Sequence, residues 1–175
     1  MKIESATLAG GKVNQDYYAY RDTYALFLDG SSSFLPEQTS INAATYVKAL
    51  GESLSSQLEH CELNEIPNVL ADSIIKVVEK YELVEESSPN STVVIAKWNQ
   101  EEVVIYVLGD SSCLVFDNSN NTVELTDNRM SQFGADIRSK YRNRLSNGCG
   151  FDLRHKQLLS ILQQTQIKYR KWLLD

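Results

Sequence analysis

The order of the periodic segments restricts the fold of this chain more than any other feature of its sequence. Two long neighbouring segments repeat apolar residues every three or four positions, which is typical of amphipathic helices. Short β-rich runs stand before and after this helical pair, and strands do not alternate one by one with helices. The order therefore predicts an α+β fold rather than a chain of βαβ units.

The predicted elements have the following limits. Strands are expected at 2–8, 16–20, 24–28, 92–98, 103–108, 113–117 and 122–125. Helices are expected at 37–59, 66–84 and through the last third, 130–175, with a break near 147–150. We expect an amphipathic helix in that last third, over about 153–172, that buries one apolar stripe against the sheet (Leu158, Leu162 and Trp172 or Leu173) and exposes Lys156, Lys168 and Arg170.

The charge of the chain is unevenly distributed. The net charge is −6, but residues 1–129 carry 8 Lys+Arg against 20 Asp+Glu, and residues 130–175 carry 9 against 3. A basic segment of this kind can bind nucleic acid or phosphate, or it can be the solvated face of a long helix. We favour the helix face, because the rest of the chain is acidic and no aromatic-rich basic strand is present. No nucleic-acid partner is therefore expected.

Other features of the sequence point to an ordinary protein of the cytoplasm. No apolar run approaches the roughly 20 residues that span a bilayer, and the N-terminus lacks the apolar core of a signal peptide. The three cysteines are widely separated and form no CxxC pair, so free thiols are expected. We expect a cytoplasmic location and no membrane partner, and the sequence does not indicate an oligomeric state.

Three aspartates stand at the ends of predicted strands. Asp16 opens the second strand, Asp29 follows the apolar run YALFL, and Asp110 follows VVIYVLG. Asp-Gly and Gly-Asp are common turn dipeptides, so each aspartate alone could be a turn residue. Gathered at one rim, however, they would form the oxygen-rich pocket that Mg²⁺ or Mn²⁺ prefers.

The order of these motifs resembles the metal-dependent protein serine/threonine phosphatases of the PPM or type 2C family. The resemblance is carried by GGKVNQDYYAY, then YALFLDGSSS, then two long helices, and then NSTVVIAKWNQEEVVIYVLGDSSCLVF. These features occur in the family's order over residues 10–117. The resemblance implies a single domain over 1–175 with an antiparallel β-sandwich flanked by helix pairs, in α/β/β/α layers.

The resemblance also implies an activity and a site. The family hydrolyses phosphoserine and phosphothreonine in phosphoprotein substrates, using water activated by two divalent metals, Mn²⁺ or Mg²⁺. Asp16 and Asp29 match its catalytic metal ligands, with Asp29 bridging both ions and the Gly30 carbonyl as a further ligand. Asp110 matches the ligand of a weaker third metal.

The chain departs from the family pattern at both ends. Lys12 takes the place of an arginine that grips the phosphate, and Gln15 replaces a glutamate. Two further metal-binding aspartates of the family are not found, because Asp127, Asp136 and Asp152 stand in unlike contexts. We therefore expect a domain that lacks its last strands, with little or no activity as it stands. The alternative is a catalytically inactive phosphatase-like binding module.

Overall fold

A computed structural model describes residues 2–33, 38–129, 134–149 and 152–174 of the chain. It divides into two compact units, Met1–Asp127 and Asn128–Asp175, which are described separately. The first unit contains β1 (Asp16–Arg21), β2 (Tyr24–Ser31), α1 (Ala43–Leu58), α2 (Ile66–Tyr81), β3 (Asn90–Trp98), β4 (Val103–Leu108), β5 (Ser112–Phe116) and β6 (Thr122–Thr126). The second unit contains α3 (Ala135–Ser146) and α4 (Leu153–Leu174).

The first unit is built on a four-stranded antiparallel sheet in the order β1-β2-β3-β4. Hairpins join β1 to β2 and β3 to β4, and the two helices lie in the chain between these hairpins. A separate two-stranded antiparallel sheet pairs β5 with β6. The expected α+β class with antiparallel sheets is thus confirmed.

Side-chain alternation gives the four-stranded sheet an inner face against the helices and an outer face away from them. The inner face of β2 carries Tyr24, Leu26 and Leu28, all buried. The outer face retains considerable exposure, with Tyr18 at 44% and Phe27 at 36%. One face of the sheet therefore forms the core of this unit.

Helices α1 and α2 cover the inner face with apolar stripes at helical spacing. Leu50, Leu54 and Leu58 of α1 are at most 1% exposed, and α1 contacts β1, β2 and β3. Gly51 faces the sheet as well, and a Cβ there would collide with the Tyr17 ring, so glycine lets α1 lie close to β1. Asn42 caps α1, since its side-chain oxygen accepts the backbone N–H of Thr45 at 2.9 Å.

A buried lysine interrupts the apolar inner face. Lys97 of β3 is 5% exposed, and its Nζ donates to the carbonyl oxygen of Leu58 at 2.5 Å. This carbonyl belongs to the last turn of α1, where backbone acceptors lack helical partners and the helix dipole favours a positive charge. Lys97 therefore holds the end of α1 against the sheet.

The second unit is a helical hairpin. Tyr141 of α3 stacks on His155 of α4 with ring centroids 4.9 Å apart. Asp152 precedes α4 and accepts the backbone N–H of His155 at 2.8 Å, while Arg144 of α3 forms an ion pair with it. Backbone hydrogen bonding to His155 and then the Arg144 guanidinium hold the pKa of Asp152 below its usual range.

Most predicted elements are confirmed within a few residues, and two predictions need correction. The predicted strand at 2–8 is wrong, because residues 2–9 form no regular structure and are almost entirely exposed. Their weak alternation buries no face. The first helix begins at Ala43, not at 37, since Asn42 provides its cap. The predicted start at Pro36 lies outside the described residues.

Burial along the fourth helix follows the predicted alternation where side chains are described, and its packing against the sheet stays a prediction. Leu162 is buried and Leu158 half-buried, while Lys156 and Lys168 are exposed. Trp172, Leu173 and Arg170 have side chains outside the described set. Within the described chain, no helix is both long enough and apolar enough to span a membrane.

Candidate metal and phosphate site

Antiparallel pairing brings the strand-end aspartates to one end of the four-stranded sheet. β1 begins at Asp16 and β2 ends just after Asp29, and the register places these two residues directly opposite each other. The next pair, Tyr17 and Leu28, faces α1 and the core. Because adjacent residues of a strand point to opposite faces, both carboxylates lie on the outer face.

Asp110 reaches the same end of the sheet from the other side. β4 pairs antiparallel with β3 and ends at Leu108, so Gly109 and Asp110 leave the sheet where β2 ends. Asp29 interacts electrostatically with both Asp16 and Asp110. The structure thus brings together three of the aspartates that the sequence singled out.

Asp16 is oriented by the segment that precedes β1. Thr7 donates its hydroxyl to Asp16 Oδ2 at 2.6 Å, and Asn14 Nδ2 donates to Thr7 Oγ1 at 2.9 Å. The Asn14 side-chain oxygen also accepts the backbone N–H of Asp16 at 3.0 Å. These contacts fix the Asp16 carboxylate beside Asp29.

Gly30 is required by the close approach of the chain at this point. Its backbone N–H donates to the Gln15 carbonyl at 2.9 Å. A Cβ on Gly30 would lie 2.7 Å from Val47 Cγ1 and closer still to the Gln15 carbonyl oxygen. Any side chain at this position would push β2 away from β1 or α1, and would displace Asp29 with it.

The surroundings of Asp29 disfavour its ionised form. Its pKa is raised above 3.8, first by desolvation at the sheet end and then by repulsion from Asp16 and Asp110. A hydrogen bond shared with the Asp16 side chain acts in the same direction. The side chain is nevertheless more than a third exposed, so solvent screens part of this effect.

A fourth aspartate, Asp127, lies at the loop that carries Asp110. Its Oδ2 accepts the backbone N–H of Gly109 at 3.2 Å, and Gly109 adopts a φ of +88° that favours glycine. In the same loop, Ser111 Oγ lies 2.5 Å from Thr92 Oγ1. Sequence reasoning set Asp127 aside because its context is unlike the family motifs, whereas its contact with Gly109 depends on the return of the β5–β6 hairpin, which is a tertiary feature.

Lys12, the predicted phosphate ligand, lies four residues before Asp16 in an exposed turn. Within the described part of the chain it forms no ion pair that would neutralise it. Its exposed ammonium group is therefore available to an anion.

The donor chemistry of this sheet end fits a hard cation, although the ligand set is incomplete. Asp16 and Asp29 present carboxylate oxygens side by side, and the raised pKa of Asp29 shows that a nearby positive charge would be favourable. Among the described residues, however, no three Asp, Glu, His or Cys side chains form a group that could hold a metal ion. Asp16 and Asp29 are thus the two carboxylates that lie directly opposite each other at this sheet end.

Comparison with known proteins adds a family match. The family model described as Protein phosphatase 2C matches residues 5–165. No curated protein matches the chain. Two solved structures are similar: the Mycobacterium tuberculosis serine/threonine phosphatase PstP/Ppp, with 13% identity and a TM-score of 0.49, and the PPM Ser-Thr phosphatase MsPP from Mycobacterium smegmatis in complex with cacodylate, with 16% identity and a TM-score of 0.43. Each match covers 67% of this chain, which spans about half of those two proteins, 49% and 48%.

Proposed function

The chain belongs to the protein phosphatase 2C family, and from this premise we propose that it contributes to a metal-dependent protein serine/threonine phosphatase. The substrates would be phosphoserine and phosphothreonine residues of phosphoproteins. The observation that carries the proposal is the direct opposition of Asp16 and Asp29 at one end of the sheet, where desolvation and the neighbouring carboxylates raise the pKa of Asp29.

Asp16, Asp29 and the Gly30 carbonyl would hold two divalent cations, Mn²⁺ or Mg²⁺, and Asp110 would hold a weaker third. When bound, such ions lower the pKa of a coordinated water and neutralise charge on the phosphoryl oxygens. The chain's own contribution is positional. Thr7 and Asn14 fix Asp16 through hydrogen bonds at 2.6 to 3.0 Å, and Gly30 allows β1 and β2 to approach closely.

Lys12 would attract the substrate phosphate. It precedes β1 in the chain and carries an exposed positive charge. A lysine offers a point charge rather than the planar fork of arginine, so it attracts the phosphate but orients it less strictly.

An inactive phosphatase-like binding module is the second candidate. It is favoured because, among the described residues, no three Asp, Glu, His or Cys side chains form a group that could hold a metal ion. Fewer carboxylates hold the ions more weakly and position the attacking water less well, and a misplacement of about 1 Å can cost about 100-fold in rate. We therefore expect little phosphatase activity from the 175 residues alone.

Metal binding and turnover together distinguish the two candidates. Mn²⁺ binding, measured by electron paramagnetic resonance, should be detectable for the 175-residue chain and lost in Asp29→Ala. Turnover of a phosphothreonine peptide should appear in a protein that continues past residue 175, and Asp29→Ala should abolish it. Mn²⁺ binding without turnover in the longer protein would favour the inactive module. Absence of Mn²⁺ binding in both proteins would contradict the proposed metal site.

A further inference from the structure

Helices α3 and α4 enclose a groove that the proposed catalysis does not use. Lys140, Asn143 and Arg144 are spaced three and four residues apart, so they share one face of α3. Arg154, Gln157, Leu158 and Ile161 follow the same rule on α4. These two faces line a cavity of about 520 Å³, which lies wholly within the second unit.

The groove is electrostatically positive. Among the described residues, its lining contains three cations, Lys140, Arg144 and Arg154, and no carboxylate. Asp152 offsets Arg144 by an ion pair outside the lining. Across the described residues, Lys140 and Arg154 have no such partner. Cations gathered in a concave surface concentrate the field, which favours an anion there.

Arg144 is fixed in advance of any ligand. Its Nη2 donates to the Cys149 carbonyl at 3.4 Å and pairs with Asp152, and its side chain is only 19% exposed. Its Nε is buried and, among the described residues, has no hydrogen-bond partner. The Tyr141–His155 stack holds the two helices together beside it. A rigid guanidinium with donor capacity left over is suited to an oxyanion.

The apolar part of the lining determines which kind of anion fits the groove. Leu158 and Ile161 give the groove an apolar side, which can take an apolar side chain next to the anion. A phosphate monoester on a peptide offers both parts, since it combines a compact dianion with flanking side chains. Nucleic acid would need an extended basic track, whereas residues 1–129 are strongly acidic.

We propose that the α3–α4 groove binds a phosphorylated peptide segment through Lys140, Arg144 and Arg154. The groove is separate from the aspartate site and needs no metal. Its function does not depend on catalysis by this chain. The groove would bind a second phosphorylated residue of the substrate phosphoprotein, or a phosphorylated segment of a partner protein.

Fluorescence anisotropy in EDTA tests this directly, because EDTA removes any metal-held phosphate at the aspartates. The probe is a labelled neutral peptide with one phosphothreonine, and the same peptide without phosphate is the comparison. Arg154→Gln and Lys140→Gln should each weaken binding about 10-fold, as expected for the loss of a charge-assisted contact. Arg142→Gln on α3 and Lys156→Gln on α4 remove exposed cations outside the groove and should leave binding unchanged.

Three results would overturn the proposal. The phosphorylated and unphosphorylated peptides could bind equally or not at all. The control variants could weaken binding as much as the groove variants, which would indicate general attraction to a basic segment. A short single-stranded RNA could bind more tightly than the phosphopeptide and be weakened by the same two groove variants, which would assign the groove to nucleic acid. Circular dichroism of every variant verifies that the helices remain folded.

Discussion

Replacing Asp29 by Asn is expected to stabilise the metal-free protein and to remove its stabilisation by Mn²⁺. In the folded chain the pKa of Asp29 is raised by desolvation and by Asp16 and Asp110, so its ionised form is disfavoured there. The amide has nearly the same shape and carries no charge. It relieves the repulsion, but it is also a poorer ligand for a divalent cation.

The two effects differ in size as well as in sign. Relief of repulsion should contribute less than about 1 kcal/mol, since the Asp29 side chain is more than a third exposed and screened by water. For a chain of this size that is a rise in Tm of at most about 4 °C. A free Mn²⁺ concentration of 100 times the Kd should stabilise the unmodified protein by about 2.7 kcal/mol. The metal effect should therefore dominate whenever the site is loaded.

The pH dependence in EDTA follows from the direction of the pKa shift. Asp29 is penalised when ionised, so the penalty is fully present above its folded pKa and disappears as the pH falls towards 3.8. The Tm difference between Asp29→Asn and the unmodified protein should therefore shrink as the solution is acidified. Thermal melts followed by circular dichroism, with EDTA or with increasing Mn²⁺, measure both effects.

Asp22→Asn is the matched control, because Asp22 is an exposed aspartate at the turn end of the same β1–β2 hairpin. It should leave the Mn²⁺ response unchanged. An Asp29→Asn protein that is less stable than the unmodified protein in EDTA would refute the electrostatic reasoning. An Asp29→Asn protein that gains as much from Mn²⁺ as the unmodified one would show that the ion binds elsewhere.

Three further predictions concern the first unit, each measured by urea unfolding. Lys97→Met should lower the free energy of unfolding by about 1–3 kcal/mol, because the buried Leu58 carbonyl loses its hydrogen-bond donor. Leu54→Ala should cost about 2–5 kcal/mol, since Leu54 is fully buried in the core, whereas Ile75→Ala at an exposed position of α2 should change stability by less than about 0.5 kcal/mol. Asn42→Ala should lower the free energy of unfolding by about 1 kcal/mol, because α1 loses its cap. Asn42→Asp should retain most of the stability, because its side-chain oxygen can accept the same hydrogen bond.

Each of these predictions has a result that contradicts it. A Lys97→Met protein as stable as the unmodified one would mean that the lysine is not needed to hold the end of α1. Equal costs for Leu54→Ala and Ile75→Ala would mean that α1 and α2 do not pack on the sheet as described. An Asn42→Asp protein as unstable as Asn42→Ala would show that the side-chain oxygen does not cap the helix.

The sequence by itself determined the local elements and the candidate residues of the site. The apolar run ending at Asp29-Gly30 and the repeats of α1 and α2 are local patterns, since burial on one face imposes a period of two or 3.6 residues. The element order then gave the α+β class. The three aspartates of the site, Asp16, Asp29 and Asp110, were found in the same way, because each stands at or near the end of a strand that its local sequence pattern predicts.

Only the tertiary structure decided how these parts meet. A one-residue slip of register would have put Asp16 and Asp29 on opposite faces, and the register depends on long-range pairing that local patterns do not specify. The burial of Lys97 depends on where α1 ends, and the contact of Asp127 with Gly109 depends on the return of a hairpin. The residues 2–8 show the converse, because a period of two produces a strand only where a neighbouring strand and a core accept it.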